Sequence, residues 1–506
     1  MNISAAKAKL FFTFIFLIIL NSSAQSLGGY DLWLGYPKIE DPAVLSEYQK
    51  YTKSIFFNNR GAVLETAQKE LLRAVEGLLG QQPNMHDSLS LLNTMWVSRK
   101  MNLGKDIANA LKADFERIGN EGFIIKSVTV KDRSILLITA NEDIGILYGV
   151  FKLLQLMKMH KPLEGINIVD APKIKLRMLN HWDNLDRTVE RGYAGFSLWN
   201  WQKLPEYIDR RYEDYARANA SIGINATVLT NVNANALVLT SAYFEKVAAL
   251  AKVFRPYGIK VYLTARFSAP MEIGGLNTAD PLDKDVIKWW KDRVEKIYKF
   301  IPDFGGFLVK ANSEGQPGPQ NYGRSHVDGA NMLADALNPF NGIVIWRAFV
   351  YSEKDATDRA KQAYNEFVPY DGKFQDNVLV QVKNGPIDFQ PREPFHPIFG
   401  AMPNTPLVME FQITQEYLGF SSHLVFLPQL FEEVLDADTY RKGKNATVAK
   451  VVDGSLFNNK ISGMAGVANI GTDLNWTGHP FAQGNWYGYG RLAWNPYLSS
   501  ESIAEE

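Results

Sequence analysis

The chain has 506 residues, of which 46% are hydrophobic and 21% are charged, a composition typical of globular proteins. Its 54 Lys and Arg residues balance 54 Asp and Glu residues, so it lacks the basic surface that a general nucleic-acid binder needs. It contains no cysteine, which excludes disulfides, thiolate metal sites and a lipoprotein anchor. The length predicts more than one domain.

The N-terminus has the pattern of a signal peptide. Two lysines precede an apolar run at residues 10–20, and a Ser-Ser-Ala tripeptide ends the segment at residue 24. The apolar run is about half the length of a membrane span. We therefore predict a cleaved signal peptide at residues 1–24, a secreted or periplasmic mature chain starting near Gln25, and no membrane contact after cleavage. An uncleaved anchor is the alternative.

Residues 25–155 predict a small N-terminal α/β domain. Gly145 and Gly149 lie one turn apart in its last helical pattern, which predicts close packing of that helix on a sheet. No catalytic constellation is evident in this part. The β-type runs lie at Ser54–Phe57, 122–130 and 134–139, and the helical patterns lie at Ala62–Leu79 and 143–157.

Residues 156–506 predict a (β/α)8 TIM barrel. From about Pro172 onward, eight short apolar runs recur, with helix-like stretches between them. This pattern indicates parallel βαβ units and an active site at the C-terminal ends of the strands. A doubly wound open sheet is disfavoured because no G-x-G-x-x-G motif follows a strand. The runs lie at 176–182, 224–232, 259–267, 304–314, 342–349, 377–388, 406–414 and 461–471.

Polar side chains end three of these runs, and the sixth run leads through an Asn-Gly-Pro segment at 384–386 to Asp388. If the fourth run stays extended, Lys310, Asn312 and Glu314 share one face. The shared face of the seventh run consists of Glu410, Gln412, Thr414 and Glu416. Burying charges inside a barrel is costly unless they are paired or used, so these faces indicate a functional site. A structural ion pair or a helix cap is the alternative for any one of them.

Carboxylates and cations together predict a glycosidase for an acidic sugar. Glycoside hydrolysis needs one protonated and one ionised carboxyl group. Arg binds a carboxylate through two N–H groups and Lys adds a point charge. Trp182, Trp199 and Trp201 are candidates for stacking on a sugar ring, with core packing as the alternative. The converging charged residues are Glu314, Asp388, Glu416, Lys310, Arg347 and Lys383.

Other chemistries fit less well. The 7 histidines are scattered, and no H-E-x-x-H motif occurs. No G-x-S-x-G elbow and no P-loop occur either. We therefore predict no metal site and no organic cofactor.

Stretches along the whole predicted barrel resemble family 67 glycoside hydrolases, the xylan α-glucuronidases, and they follow in the family's order. The resemblance implies a barrel behind a small α/β domain. The stretches are 177–184 (Arg-Met-Leu-Asn-His-Trp-Asp-Asn), 191–195 (Arg-Gly-Tyr-Ala-Gly), 221–225 (Ser-Ile-Gly-Ile-Asn) through 231–233 (Asn-Val-Asn), 309–315 (Val-Lys-Ala-Asn-Ser-Glu-Gly), 383–389 (Lys-Asn-Gly-Pro-Ile-Asp-Phe), 410–417 and 475–479 (Asn-Trp-Thr-Gly-His).

The resemblance also implies roles for single residues. Glu314 matches the general acid, and Asp388 and Glu416 match the carboxylates that orient and deprotonate the attacking water, with inversion. Trp182 matches an aromatic wall of the uronic acid pocket, and Val232 matches an apolar contact for the 4-O-methyl group. Positions near the uronate carboxylate and ring hydroxyls are matched by Lys310, Arg347 and Lys383.

One departure concerns the end of the chain. The family continues past the barrel into a large helical domain, whereas this chain stops at Glu506, where that domain would begin. Family members dimerise through that part, so a homodimer is expected only if the domain is present. Without it, an exposed apolar patch is expected.

The expected activity is hydrolysis of the α-1,2 bond between (4-O-methyl)glucuronic acid and the terminal xylose of xylan-derived aldouronic acid oligosaccharides. A general acid must be protonated near neutral pH, so we expect Glu314 to be buried among apolar and like-charged neighbours. Which of Asp388 and Glu416 is the base stays open. The alternatives are a non-catalytic glycan-binding barrel or truncated inactive homologue, and a different barrel enzyme such as a retaining glycosidase or a metal-dependent lyase.

Overall fold

The computed structural model of the protein describes residues 29–58, 60–88, 90, 93–349 and 358–506. The signal peptide predicted at residues 1–24 lies outside these ranges. Inside them, no helix combines the length and the apolar character that crossing a membrane requires.

The described residues up to Asp170 form one mixed sheet with helices packed on it. The strands are β1 (Ser54–Phe57), β2 (Asn84–His86), β3 (Met95–Arg99), β4 (Phe123–Val130), β5 (Arg133–Ala140) and β6 (Asn167–Asp170). The helices are α1 (Pro42–Thr52), α2 (Ala62–Leu79), α3 (Lys105–Ala110), α4 (Lys112–Ile118) and α5 (Asp143–Lys158). The strand order is β2-β1-β3-β5-β4-β6, with β4 antiparallel to both neighbours.

The strands and helices predicted for this part are present, each within one residue of its predicted bounds. A Cβ on Gly145 would lie 2.3 Å from the carbonyl oxygen of Gly122, and one on Gly149 would lie 2.9 Å from Ile138. The predicted close packing of α5 on the sheet is therefore confirmed. The sheet continues past residue 155, because β6 pairs with β4.

The described residues from Leu176 onward form a closed barrel of parallel strands, which confirms the predicted TIM barrel. Each of the predicted apolar runs contains one strand. The strands are β7 (Leu176–Asn180), β8 (Ala226–Val228), β9 (Lys260–Thr264), β10 (Gly306–Val309), β11 (Ile343–Arg347), β12 (Val378–Lys383), β13 (Leu407–Gln412) and β14 (Gly463–Val467). The helices are α6 (Arg210–Ser221), α7 (Ser241–Phe254), α8 (Ala269–Glu272), α9 (Lys284–Phe300), α10 (His326–Leu337), α11 (Arg359–Phe367), α12 (Ile398–Ala401), α13 (Leu427–Asp436), α14 (Val448–Val452), α15 (Gln483–Trp494) and α16 (Ser500–Glu505).

The barrel interior changes character along its axis. Alternate strand residues point inward, and buried side chains such as Met178, Leu308 and Val408 fill the interior as one apolar cluster. Towards the C-terminal ends the inward side chains are charged, and Arg347 and Lys383 are the last residues of β11 and β12. The charge thus lies at the end where active sites of such barrels are built.

Two ion pairs with buried arginines join the first sheet and its helices to the barrel. Arg177 of β7 donates to both oxygens of Glu121 at 2.8 and 3.1 Å. Arg217 of α6 donates to both oxygens of Glu70 in α2, each at 2.7 Å. Removing one partner of a buried pair costs about 3–5 kcal/mol, so these contacts fix the N-terminal part against β7 and α6.

Candidate active site

Two lysines at the C-terminal end of the barrel each hold a carboxylate. Lys310, which directly follows β10, forms an ion pair with Glu314, and Lys383 at the end of β12 forms one with Asp388. Both lysine side chains are buried, whereas the Glu314 side chain is 48% exposed and that of Asp388 is 23% exposed. The carboxylates therefore lie on the solvent side of the cations.

Arg347 is paired more deeply in the barrel. Its Nε donates to both carboxylate oxygens of Glu410 in β13, at 2.8 and 3.1 Å, and both side chains are buried. Its Nη2 is also buried and has no hydrogen-bond partner among the described residues. A buried donor without a partner is costly, so this group is a candidate ligand for a bound anion.

The side chains of Lys310, Arg347 and Lys383 all lie close to the ring of Phe349. Its centroid lies 3.3 Å from Lys383 Nζ, 4.9 Å from Arg347 Cζ and 5.7 Å from Lys310 Nζ. A cation within about 6 Å of an aromatic centroid is attracted to the ring. The three side chains therefore form one group, which we call the cation cluster, and the structure brings the carboxylates of their partners around it.

Burial sets the electrostatics of the cluster. Burial and the positive charge of Arg347 lower the pKa of Lys383 from 10.5 to about 8, and the same two causes lower the pKa of Lys310. Burial alone would raise the pKa of Asp388, but the Lys383 ammonium and the Tyr417 hydroxyl outweigh it and hold this pKa below its usual value. Asp388 is therefore ionised at neutral pH, whereas the cations repel one another.

Glu416 lies in the loop after β13 and makes one ion pair and one hydrogen bond. Arg191 Nε approaches one of its oxygens at 2.9 Å, and Gln412 Nε2 donates to the other at 2.7 Å. The next residue, Tyr417, donates its hydroxyl hydrogen to Asp388 Oδ2 at 2.5 Å. Asp388 therefore contacts the residue beside Glu416, and the structure brings these two carboxylates to adjoining loops.

Apolar side chains border the cation cluster. The Trp182 ring centroid lies 5.4 Å from Arg347 Cζ and 6.5 Å from the ring of Phe389. The Phe389 ring lies 4.4 Å from Lys383 Nζ, and Val232 belongs to the same buried group as Trp182 and Phe389. An apolar wall beside positive charge suits a sugar ring that carries a carboxylate.

The expectation that Lys310, Asn312 and Glu314 share one face of an extended segment is wrong. β10 ends at Val309, and Asn312 and Glu314 adopt φ values of +51° and +48°, which turn the chain out of an extended conformation. Asn312 accepts a hydrogen bond from the backbone of Gln320 at 3.0 Å instead of joining Lys310 and Glu314. The segment is a tight loop that keeps Glu314 beside Lys310 and turns Asn312 away from both.

Two further expectations need correction. Glu314 is half exposed and ion-paired with Lys310, so it is not buried among apolar and like-charged neighbours. Trp199 and Trp201 are fully buried in the main hydrophobic core, so the core-packing alternative holds for both and neither stacks on a ligand.

A polar network that the sequence analysis did not select supports Lys310. Asn231 Nδ2 and Asn233 Nδ2 donate to Glu190 Oε2 at 2.8 and 2.9 Å, and Lys310 Nζ donates to Asn233 Oδ1 at 2.9 Å. The two asparagines lie in one of the stretches that resemble family 67, and this resemblance is the sequence signal that could have identified them. Glu190 gave no such signal, because its role depends on loops that are distant in sequence.

Two cavities among the described residues border this region. The cavity at the ends of β7, β8 and β9, of about 500 Å³, is lined by residues that include Asn231, Asn233 and Arg266. The cavity between the loops after β12 and β13, of about 460 Å³, is lined by residues that include Phe389 and Glu416. In the described part of the chain, no group of three or more His, Asp or Glu side chains is arranged to hold a metal ion.

Known proteins resemble this chain in sequence. It is 38% identical over 509 residues to the α-glucuronidase A of Emericella nidulans. The matched region covers 96% of this chain and 59% of that protein. It is 38% identical to an α-glucuronidase of Hypocrea jecorina, with 94% of this chain and 58% of that protein covered. The chain thus spans about three fifths of the length of these relatives.

Solved structures with low sequence identity share the fold. A GH115 4-O-methyl-α-glucuronidase with specificity for decorated arabinogalactans superimposes with a TM-score of 0.51 at 12% identity, covering 90% of this chain and 57% of that one. A GH138 enzyme targeting pectin rhamnogalacturonan II gives a TM-score of 0.51 at 15% identity, covering 87% and 50%.

Family models match nearly all of the described chain. The glycosyl hydrolase family 67 N-terminus matches residues 32–153, the middle domain of this family matches residues 156–476, and its C-terminus matches residues 477–506. With this coverage and the identity to the relatives above, the chain belongs to glycosyl hydrolase family 67.

Proposed function

We propose that this chain is an inverting α-glucuronidase that releases (4-O-methyl)glucuronic acid from the terminal xylose of xylan-derived aldouronic acid oligosaccharides. The observation that carries the proposal is the buried cation cluster of Lys310, Arg347 and Lys383, surrounded by carboxylates at the open end of the barrel. The names of the curated relatives support the same activity.

The uronate carboxylate binds to the cation cluster. Arg347 Nη2 is a buried donor without a partner among the described residues, and a carboxylate oxygen fits this donor. Burial and repulsion by Arg347 lower the pKa of both lysines, and an anion bound among the three cations offsets that repulsion. The sugar ring then lies against Trp182, with a 4-O-methyl group near Val232.

Glu314 acts as the general acid. Its carboxylate forms an ion pair with Lys310. A uronate that takes over the charge of Lys310 removes this pairing and lets Glu314 carry the proton that the leaving oxygen needs. Substrate binding and activation of the acid are therefore coupled through Lys310.

Asp388 and Glu416 orient and deprotonate the attacking water. Asp388 is ionised, and Glu416 is oriented by Arg191 and Gln412. One of the two removes the proton from the water while the other orients it. In this mechanism the acid and the base are separated by roughly 6.5–9.5 Å to leave room for water, rather than by roughly 5–5.5 Å as in retaining enzymes.

Location and assembly remain predictions. We propose export through the signal peptide at residues 1–24, because two lysines precede an apolar run there and a Ser-Ser-Ala tripeptide follows it. We propose a homodimer only for a protein that also carries the family's further helical domain.

Proton NMR of the chain incubated with an aldouronic acid tests the proposed reaction. Inversion at an α-linked centre forms the β anomer of glucuronic acid first, and the α anomer appears later by mutarotation. Early α anomer would instead indicate a retaining glycosidase. Binding of the oligosaccharide without release of glucuronic acid would favour a glycan-binding barrel, and loss of activity with a chelator would favour a metal-dependent lyase.

Removal of the acid should act mainly on substrates with poor leaving groups. Glu314→Ala is expected to lower kcat on an aldouronic acid by about 10²–10⁴-fold, because general acid catalysis typically contributes this much. On an aryl glucuronide the loss is expected to be much smaller, because that leaving group needs little protonation. Glu295→Ala, which removes an exposed carboxylate on α9, is the control and should change neither rate. Equal losses on both substrates would contradict the assignment.

The titration of Lys383 should appear in the pH profile. Its pKa of about 8 means that the folded protein loses this positive charge as the pH rises through about 8, so uronate binding weakens. We expect kcat/KM for an aryl glucuronide, which depends little on the acid, to fall above this pH. Lys383→Arg keeps its charge to much higher pH, so its decline should shift upward. Identical profiles for both proteins would contradict a role of Lys383 in uronate binding.

A further inference from the structure

We infer that the barrel interior binds an ordered water molecule directly beneath the cation cluster, held by the side-chain amides of Asn180 and Gln381 and by Arg347 Nη2. This water holds the Arg347 guanidinium in place at the floor of the uronate pocket. The positioning role rests on the proposed function, whereas the water site itself does not.

Two side-chain amides are buried inside the barrel without a hydrogen-bond partner in the described part of the chain. Asn180 ends β7 and Gln381 lies in β12, and both side chains are fully buried. Within residues 29–349 and 358–506, as far as these are described, neither the nitrogen nor the oxygen of either amide is paired. Buried polar atoms nearly always bind protein or ordered water, so these amides need a partner.

The strand register places these amides next to Arg347. In an eight-stranded barrel of this kind, neighbouring strands are staggered by one residue, and alternate strands contribute the four side chains of each layer. The strand pairings then place Asn180 and Arg347 in one layer and Gln381 in the next layer towards the N-terminal ends. Lys310 and Lys383 belong to the next layer on the other side. The layer of Asn180 and Arg347 is completed by Thr264 and Glu410, and that of Gln381 by Val228, Leu308 and Ala465.

The other two members of the Asn180 layer are already paired. The Thr264 hydroxyl donates to the carbonyl oxygen of Thr230 at 2.7 Å, and Glu410 accepts from Arg347 Nε. Asn180 and Arg347 extend from opposite strands of the barrel, β7 and β11, towards its axis. Since Asn180 and Arg347 Nη2 have no partner among the described residues, no direct hydrogen bond joins them, and a third group between them would pair both.

A small side chain leaves room for that group. Ala465 lies in β14, which is the neighbour of β7, and it shares its layer with Gln381. Layers of such barrels are mostly filled by bulky branched side chains. The single methyl group of Ala465 therefore leaves space beneath Asn180 and beside Gln381.

A water molecule matches the groups around this space. The oxygens of the two amides accept the two O–H groups of a water, and the amide nitrogens and Arg347 Nη2 donate to its oxygen. A buried water typically makes about three hydrogen bonds, which these groups supply. Nη2 carries two hydrogens, so it can donate one to the water and the other to a uronate carboxylate.

The water completes the support of the Arg347 guanidinium. Glu410 binds its Nε, and the water binds Nη2 at the far end of the same planar group. Because the guanidinium is planar, contacts at these two nitrogens fix its orientation. The uronate then meets a donor that is already in place.

A high-resolution crystal structure of the wild-type protein tests the site directly. We expect a peak of electron density at about 2.7–3.2 Å from Arg347 Nη2 and from the amides of Asn180 and Gln381. Direct hydrogen bonds of these two amides to other protein groups, with no peak between them, would overturn the inference.

Filling the space tests whether it is wet. Ala465→Val adds two methyl groups there, so it should expel the water and leave the amides without a partner. We expect the Tm to fall by at least about 2 °C and the affinity for glucuronic acid to fall at least about threefold. Filling a dry space would instead stabilise the protein, so a raised Tm with unchanged affinity would overturn the inference.

Gln381→Met removes one amide with little change in size. We expect calorimetry to show an affinity for glucuronic acid that is at least about threefold lower. The KM for an aryl glucuronide should rise by a similar factor with kcat nearly unchanged, because Arg347 contributes to binding rather than to bond breaking. Leu308→Met places the same side chain in the same layer and conserves volume, so as the control it should change neither affinity nor KM. Equal effects of the two variants would contradict the positioning role.

The same measurements separate this inference from the proposed function. A wild-type protein that shows the density peak but releases no glucuronic acid would contradict the proposed function and support the water site. An active wild type without the peak, whose affinity for glucuronic acid is unchanged by Gln381→Met, would support the proposed function and contradict the water site.

Discussion

Three positive charges buried at one end of a barrel impose the main constraint on this molecule. Removing a cation from water costs several kcal/mol unless an opposite charge compensates it. Each member of the cation cluster therefore has its own carboxylate, which is Glu410 for the arginine and Glu314 or Asp388 for the lysines. The carboxylates that face solvent are the ones proposed for catalysis, and the fully buried one is structural.

This arrangement links binding to chemistry. Lys310 and Lys383 form ion pairs with two of these carboxylates, and burial together with the positive charge of Arg347 lowers the pKa of both lysines. In the proposed function, an acidic sugar competes with Glu314 for the ammonium group of Lys310. The fold supplies the frame, because the loops after β10, β12 and β13 all open at the same end of the barrel.

Much of the fold and part of the site could be predicted from the sequence. The barrel strands were found because each is a short apolar run bounded by polar loops, and the parallel order then brings their ends together. The loop at Glu314 could not be predicted, because Asn312 and Glu314 adopt positive φ without being glycine. The ion pair of Arg347 with Glu410 and the network at Glu190 also depend on contacts between strands and loops that no local pattern contains.

A crystal structure of the Glu314→Ala variant with an aldouronic acid would test the central claim most directly. The account predicts that the uronate carboxylate contacts the cation cluster, with Arg347 Nη2 as one donor. It also predicts that the anomeric carbon lies between position 314 and the pair Asp388 and Glu416. A uronate bound outside the cation cluster, or an anomeric carbon remote from both carboxylates, would contradict it.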